Sequence, residues 1–269
     1  MIKTSKKSGA DTPDKEFGTN CPKRKKRANR TNCPKCRKSG RGICLFLFFM
    51  SLSLICGVKL GEHVLQIHHE EKTYHSLQRE KRKSGLGGLK KRYDKLLFWV
   101  SIDGTPFDYP VCQDKTNPER YLHQDMTGKY SFYGTPFLDS RCSIKSDNLI
   151  VYGHNINGHR FFGYLQNYRQ EAFLRAHPAI TVSIGKRTRQ YRIIAVLETD
   201  ISDPVYSLLS IKDQEDEIQS LAQRSKYAGK EIHTDQIRQL LTLSTCRSGE
   251  GRDKRLVIVA AYDKSTKGE

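Results

Sequence analysis

The C-terminal body of this 269-residue chain lacks the basic excess that a formal charge of +18 would suggest. Residues 96–269 carry twenty-three Lys/Arg against twenty-one Asp/Glu, a net of +2. A folded nucleic-acid-binding domain keeps a basic face, so that class is disfavoured. Internal repeats are absent, which removes solenoids and propellers. The eight cysteines do not make a disulfide framework. Cys21, Cys33, Cys36, Cys44 and Cys56 precede or sit in the apolar run, and only Cys112, Cys142 and Cys246 follow it. An odd number leaves at least one thiol free. Whether Cys112 and Cys142 pair stays open.

Long apolar runs are scarce too: one stands out, Ile43–Val58, and it contains no charge. It falls short of the ~20 residues a spanning helix needs, but Lys59 can snorkel and Leu60 and Gly61 extend it. A convincing small-x-small cleavage site does not follow it, and a basic region of over forty residues precedes it. An uncleaved signal anchor is therefore expected rather than a cleaved signal peptide. The missing charge excess is found here. Residues 1–42 carry fourteen Lys/Arg against three Asp/Glu, and residues 59–95 ten against five. Ten Lys/Arg lie in the twenty residues before the run and only Lys59 and Lys72 in the twenty after it. By the positive-inside rule the N-terminus is cytoplasmic and the chain beyond about residue 60 is outside.

The expected organisation is a basic, disordered tail over 1–42, a transmembrane anchor over 43–60, a helical stalk with N-terminal helices over 61–97, and a β-barrel over 98–269. The tail's Cys33-Pro34-Lys35-Cys36 has the spacing of half a zinc site, with Cys21 and Cys44 as partners. The simpler reading is incidental cysteines in an unstructured tail. Val64, Leu65, Ile67 and Leu77 among charges suggest an amphipathic helix over 62–83, broken by Ser84-Gly85-Leu86-Gly87-Gly88, with a short helix from Leu89 to Leu97. Strands are expected at Trp99–Ile102, Pro110–Gln113, Ser131–Gly134 and Leu149–Tyr152. A hairpin turns at Gly185-Lys186, between Ile180–Ile184 and Gln190–Glu198. Residues 212–227 read as a helix: acidic first turn, Ile218, Leu221 and Ala222 on one face, Gly229 as stop. Many short strands with few helices point to a closed barrel or a sandwich.

Three residues sit at the ends of apolar strand-like segments. Leu240-Leu241-Thr242-Leu243-Ser244-Thr245 ends in Cys246, Arg255 opens Leu256–Tyr262, and His154 follows Leu149–Tyr152. A cysteine attacks an amide carbonyl only as thiolate, which a neighbouring cation favours. An imidazole can protonate the leaving amine and then deprotonate the incoming nucleophile. An arginine can hold the oxyanion of the tetrahedral intermediate without losing its own proton. Alone, Cys246 reads as a buried small hydrophobe and His154 as a turn residue; together with Arg255 they make a thiol-nucleophile site. His159 and His177 are weaker alternatives to His154.

Thr242-Leu243-Ser244-Thr245-Cys246, with an arginine on the next strand, resembles the signature of the sortase family. Tyr152-Gly153-His154-Asn155 with Phe161-Phe162-Gly163-Tyr164-Leu165 resembles the histidine region of its class B, as does the stretch from Trp99 to Gln113 followed by Tyr121-Leu122. The helix expected before the cysteine strand fits the same class. The resemblance covers roughly residues 90–263. It implies a mainly β fold with helices, an eight-stranded sortase-like β-barrel, preceded by a single transmembrane helix and helical stalk. It implies a membrane-anchored cysteine transpeptidase of a Gram-positive bacterium, without metal or cofactor. Such an enzyme cleaves a C-terminal sorting signal of a secreted protein after threonine, holds it as a thioester, and passes it to a cell-wall precursor amine. Carried over, Cys246 is the nucleophile, His154 the acid/base and Arg255 the oxyanion or substrate stabiliser, while Tyr152 and Ser244 line the substrate groove. Some members carry an acidic residue two positions after the cysteine; Ser248 stands here, which tells against a Cys–His–Asp triad through that site. Two other readings remain: a sortase-fold hydrolase, and a membrane-tethered binding protein whose basic tail engages nucleic acid or anionic lipid.

Overall fold

The computed structural model describes residues 34–156, 160–227, 232–247, 251 and 253–263, with backbone alone for 34–41. The basic tail up to residue 33, including Cys33, lies outside the described residues, as do His159 and Ser248. The described residues form two units, divided between Val58 and Lys59.

In the first unit, Pro34 opens helix α1 (Pro34–Arg92), whose apolar run from Ile43 to Val58 is exposed throughout. This helix is long and apolar enough to cross a membrane.

In the second unit, eight strands close into a barrel. They are β1 (Leu96–Ser101), β2 (Asp108–Cys112), β3 (Phe137–Leu138), β4 (Asn148–Tyr152), β7 (Ala179–Ile184), β8 (Arg187–Asp200), β9 (Ile237–Cys246) and β10 (Lys254–Asp263), in the order β1-β2-β3-β4-β9-β10-β8-β7. A separate two-residue ladder joins β5 (Asn155–Ile156) to β6 (Arg160–Phe161). β4 runs parallel to β9, and β9 antiparallel to β10. The β7–β8 hairpin turns at Gly185, whose φ of 61° suits glycine.

β10 reads as continuously apolar because both of its faces are covered. Leu256, Ile258 and Ala260 face the barrel core. Val257, Val259 and Ala261 join a second cluster with Val205, Leu208, Ile218 and Leu221, the last two from α3 (Glu215–Arg224). Alternation along a strand sends successive side chains to opposite faces, so a buried outer layer removes the polar positions.

Several sequence expectations shift. The helix expected over Leu89–Leu97 ends at Arg92, and Leu96 and Leu97 enter β1. The break in α1 is a single residue, Gly85, at φ 66°. The helix expected over 212–227 is confined to α3. Ser131–Gly134 is not a strand: the N–H groups of Phe132 and Tyr133 and the Ser131 hydroxyl donate to the buried Glu70 carboxylate at 2.6, 2.8 and 3.0 Å. Near Glu70 on α1, Tyr74 and Leu77 are also buried, and the Tyr74 hydroxyl bonds to the Gly134 carbonyl. The helix after residue 59 is thus part of the packed unit. After β6 the chain forms a 3₁₀ segment, Phe162–Arg169, followed by α2 (Glu171–Ala176).

Candidate active site

Strand pairing brings Arg255 to Cys246, and hydrogen bonds from Gly153 and Asn155 hold the segment that carries His154 beside the same end of β9. Arg255 is the direct partner of Cys246 across the β9–β10 ladder. Directly opposed residues share a face, so thiol and guanidinium leave the barrel wall on the same side. On the other flank of β9, Tyr152 pairs with Ser244, and the Gly153 N–H donates to the Ser244 carbonyl at 3.1 Å. The parallel pairing ends there, and His154 lies two residues beyond Tyr152 as Cys246 lies two beyond Ser244. Asn155 then donates its side-chain amide to the Cys246 carbonyl at 2.7 Å, and Gln166 does so at 3.1 Å. The Asn155 amide ties the backbone of the thiol residue to the segment carrying the histidine, and the Gln166 amide ties it to the 3₁₀ segment Phe162–Arg169.

The thiols differ in environment. Cys112 and Cys142 are buried and not bonded to each other, while Cys246 is half-buried. Burial pushes both buried thiols up in pKa, away from the reactive thiolate. Cys246 alone of the three is reached from solvent.

His154 is half-buried, and its Nε2 donates to the Leu122 carbonyl at 2.9 Å. Burial lowers its pKa below the ordinary imidazole value of 6.5; the Leu122 carbonyl opposes this and the nearby His123 adds to it. The His123 ring stacks on it at 5.8 Å. Gly153 is required at its position: a Cβ there would collide with the Phe162 ring. His177, by contrast, follows α2 and bonds through Nδ1 to the Asp103 carbonyl at 3.1 Å, a role in the turn after β1.

Tyr152 and Ser244 each have a fixed partner. The Tyr152 hydroxyl donates to Asp139 at 2.9 Å. Burial alone would raise the Asp139 carboxyl, but the Arg141 fork at 3.0 and 2.7 Å and the Tyr152 hydroxyl hold it low. Ser244 is buried and its Oγ lies 2.8 Å from the Tyr206 hydroxyl. Tyr206 stacks on Tyr152 with ring centroids 6.2 Å apart. Its hydroxyl is pushed up to about 12 by burial, with Ser244 and the Arg255 charge acting against the rise and Cys246 adding to it. Tyr206 therefore stands within electrostatic reach of both Arg255 and Cys246.

Tyr206, His123 and Gln166 escaped the sequence reading. Tyr206 lies in a short 3₁₀ turn, Pro204–Ser207, whose only sequence signal is Asp203-Pro204, an N-cap before proline. Nothing in the sequence near His123 or Gln166 marks them.

A closed eight-stranded barrel with a half-buried thiol at one strand end, an arginine opposite and a histidine on the adjoining segment is the framework of a cysteine acyltransferase. The Sortase domain family matches residues 100–263. The chain is 25% identical over 233 residues to sortase B of Staphylococcus aureus, covering 81% of this chain and 95% of that protein. It is 27% identical over 239 residues to sortase B of Listeria monocytogenes, covering 82% and 96%. The solved structure of sortase B from Listeria monocytogenes superposes with a TM-score of 0.55 at 30% identity, over 64% of this chain and 97% of that one. The chain belongs to the sortase family of cysteine transpeptidases, in its class B subfamily.

Proposed function

We propose that this chain cleaves a C-terminal sorting signal of secreted proteins after threonine and joins the protein to a cell-wall precursor amine. The observation that carries the reading is the pairing of Arg255 with Cys246 across β9 and β10, with the Asn155 amide holding the residue after His154 to the Cys246 carbonyl. The Cys246 thiolate attacks the threonine carbonyl carbon, and Arg255 stabilises the oxyanion. As the intermediate collapses, the C–N bond breaks and His154 protonates the departing amine. The thioester on Cys246 is then attacked by the acceptor amine, His154 takes its proton, and the thiolate leaves. Tyr152 walls the substrate groove, and Ser244 acts there by holding Tyr206. The charge asymmetry around residues 43–60 supports a cytoplasmic N-terminus and an extracellular catalytic unit.

The test uses the full chain in lipid nanodiscs, a panel of sorting-signal peptides, and a glycine-based amine, read by mass spectrometry with Cys246→Ala as control. Cleavage after threonine with the amine joined on, absent in Cys246→Ala, is the expected result. Cysteine-dependent cleavage that yields only acid whatever the amine would replace transpeptidation with hydrolysis. Products unchanged in Cys246→Ala would overturn the assignment.

A further inference from the structure

A second concave site lies far from the thiol. It is a cavity of about 540 Å³ lined by Lys145, Arg187, Arg189, Arg238, Gln239 and Tyr262, among others. Arg238 is the second residue of β9 and Cys246 its last. At ~3.3 Å per residue the two are separated by roughly 26 Å of strand. Among the described residues, no carboxylate lines the cavity.

Arginines elsewhere in this unit find acids. Arg141 pairs with Asp139, Arg169 and Arg247 with Glu198, and Arg224 with Asp203. Arg192, three residues beyond Arg189 on β8, pairs with Asp263. The cavity's cations do not: among the described residues none of Lys145, Arg187, Arg189 and Arg238 is in an ion pair. The catalytic body is nearly neutral, so four uncompensated cations around one hollow are a local concentration of charge.

One of these cations is held in place by neutral groups. Arg189 Nη1 donates to Gln239 Oε1 at 2.9 Å, and its guanidinium lies 5.2 Å over the Tyr262 ring. Gln239 is buried and fixed in turn: its Oε1 accepts from the Tyr191 hydroxyl at 2.6 Å, and its Nε2 donates to the Ile144 and Ser146 carbonyls at 3.2 and 2.7 Å. A guanidinium oriented by an amide and a ring keeps its full charge and its remaining N–H donors. The planar fork of arginine matches phosphate oxygens bidentately. The volume exceeds that of a single phosphate and suits a phosphate carrying an organic group.

We infer that this cavity binds an organic phosphate ester, with Arg189 as the oriented contact and Lys145, Arg187 and Arg238 supplying charge around it. The chemistry is shared by soluble phosphate esters and by anionic phospholipid headgroups, and glycerol phosphate serves as the probe of both. The inference is independent of the catalytic assignment.

The test titrates fluorescent oligo(glycerol phosphate) into the full chain in nanodiscs of phosphatidylcholine, and again with phosphatidylglycerol included. Arg187→Ala/Arg238→Ala is the main variant, because both side chains are exposed and their loss leaves the packing intact; a thermal melt checks that. Lys90→Ala/Lys212→Ala removes the same charge elsewhere. The expected result is binding that weakens roughly tenfold or more in the arginine pair and stays near wild type in the lysine pair. Competition by phosphatidylglycerol, lost in the arginine pair, would name the lipid as the source; its absence would name the soluble ester. No binding of either probe, or equal weakening in both double variants, would overturn the site.

Discussion

The Leu122 carbonyl accepts a hydrogen bond from His154 Nε2 at 2.9 Å. A ring nitrogen facing a carbonyl must carry a proton, so in the neutral imidazole the basic lone pair sits on Nδ1. Two neighbours compete over the ring's charge. Leu122 favours the imidazolium, while His123 and burial disfavour it, and the balance falls below the ordinary value.

That balance predicts a pH response with a definite sign. The unfolded chain takes up the His154 proton near 6.5, the folded protein only at lower pH. Between those values the unfolded state holds more protons, so stability rises with pH. His154 thus costs the fold nothing above the ordinary imidazole range, opposes it progressively as pH falls from there to the lowered folded value, and adds no further penalty below it. NMR titration of labelled histidine should place His154 below 6.5. His123→Gln should raise that midpoint, because it removes the neighbouring ring that disfavours the imidazolium. An unchanged midpoint would show that His123 has no electrostatic hold on the ring.

Arg255 and Cys246 predict a separation of reactivity from turnover. Arg255→Lys keeps the charge and loses the fork, so turnover should fall on the order of 10²-fold or more, as for loss of an oxyanion donor. Alkylation of Cys246 should still occur. In the folded protein Cys112 and Cys142 should resist the same reagent, being buried with raised pKa values. Rapid modification of Cys112 in native protein would contradict the packing described for the barrel.

The parts of this site that could be read from sequence are those set by local pattern. The β9–β10 hairpin follows from two apolar segments separated by a short polar one, and it brings Arg255 opposite Cys246. α3 follows from its acidic first turn and shared apolar face. What could not be read depends on contacts between distant residues. Ser131–Gly134 is aromatic enough to resemble a strand, yet its N–H groups go to Glu70, over sixty residues away. Leu96 and Leu97 continue an apolar helical pattern but are taken into β1 by pairing with β2. Tyr206 reaches the site only because the turn after β8 folds back over β9.

Gly153 sets the path of the chain between Tyr152 and His154. Gly153→Ala would press a methyl group into the Phe162 ring, and overpacking of this kind costs about 1–3 kcal/mol. Relief would displace either the ring or the segment that carries His154. A lowered melting temperature together with loss of turnover is expected. Phe162→Leu in the same chain should restore part of both, because a smaller side chain vacates the collision. Full activity in Gly153→Ala alone would remove this glycine from the positioning of His154.

Glu70 links α1 to the same histidine through a chain of contacts. Its carboxylate holds the N–H groups of Phe132 and Tyr133. The next residue, Gly134, packs against the carbonyls of Tyr121 and Leu122 with no room for a Cβ. Leu122 is the residue whose carbonyl orients His154. Glu70→Gln keeps the size but removes the charge and one acceptor oxygen, and weakening charged hydrogen bonds of this kind should cost about 1.5–3 kcal/mol. The loss should appear as lower thermal stability and as a shifted His154 titration, which a purely structural role would not produce. The same contacts govern where the chain can be cut. A fragment beginning near residue 80 loses Glu70, Tyr74 and Leu77, all buried. Burial of each large apolar side chain is worth about 1.5–3 kcal/mol, so that fragment should melt well below one beginning at Lys59. Equal melting temperatures would show that the helix before residue 80 adds nothing to the barrel.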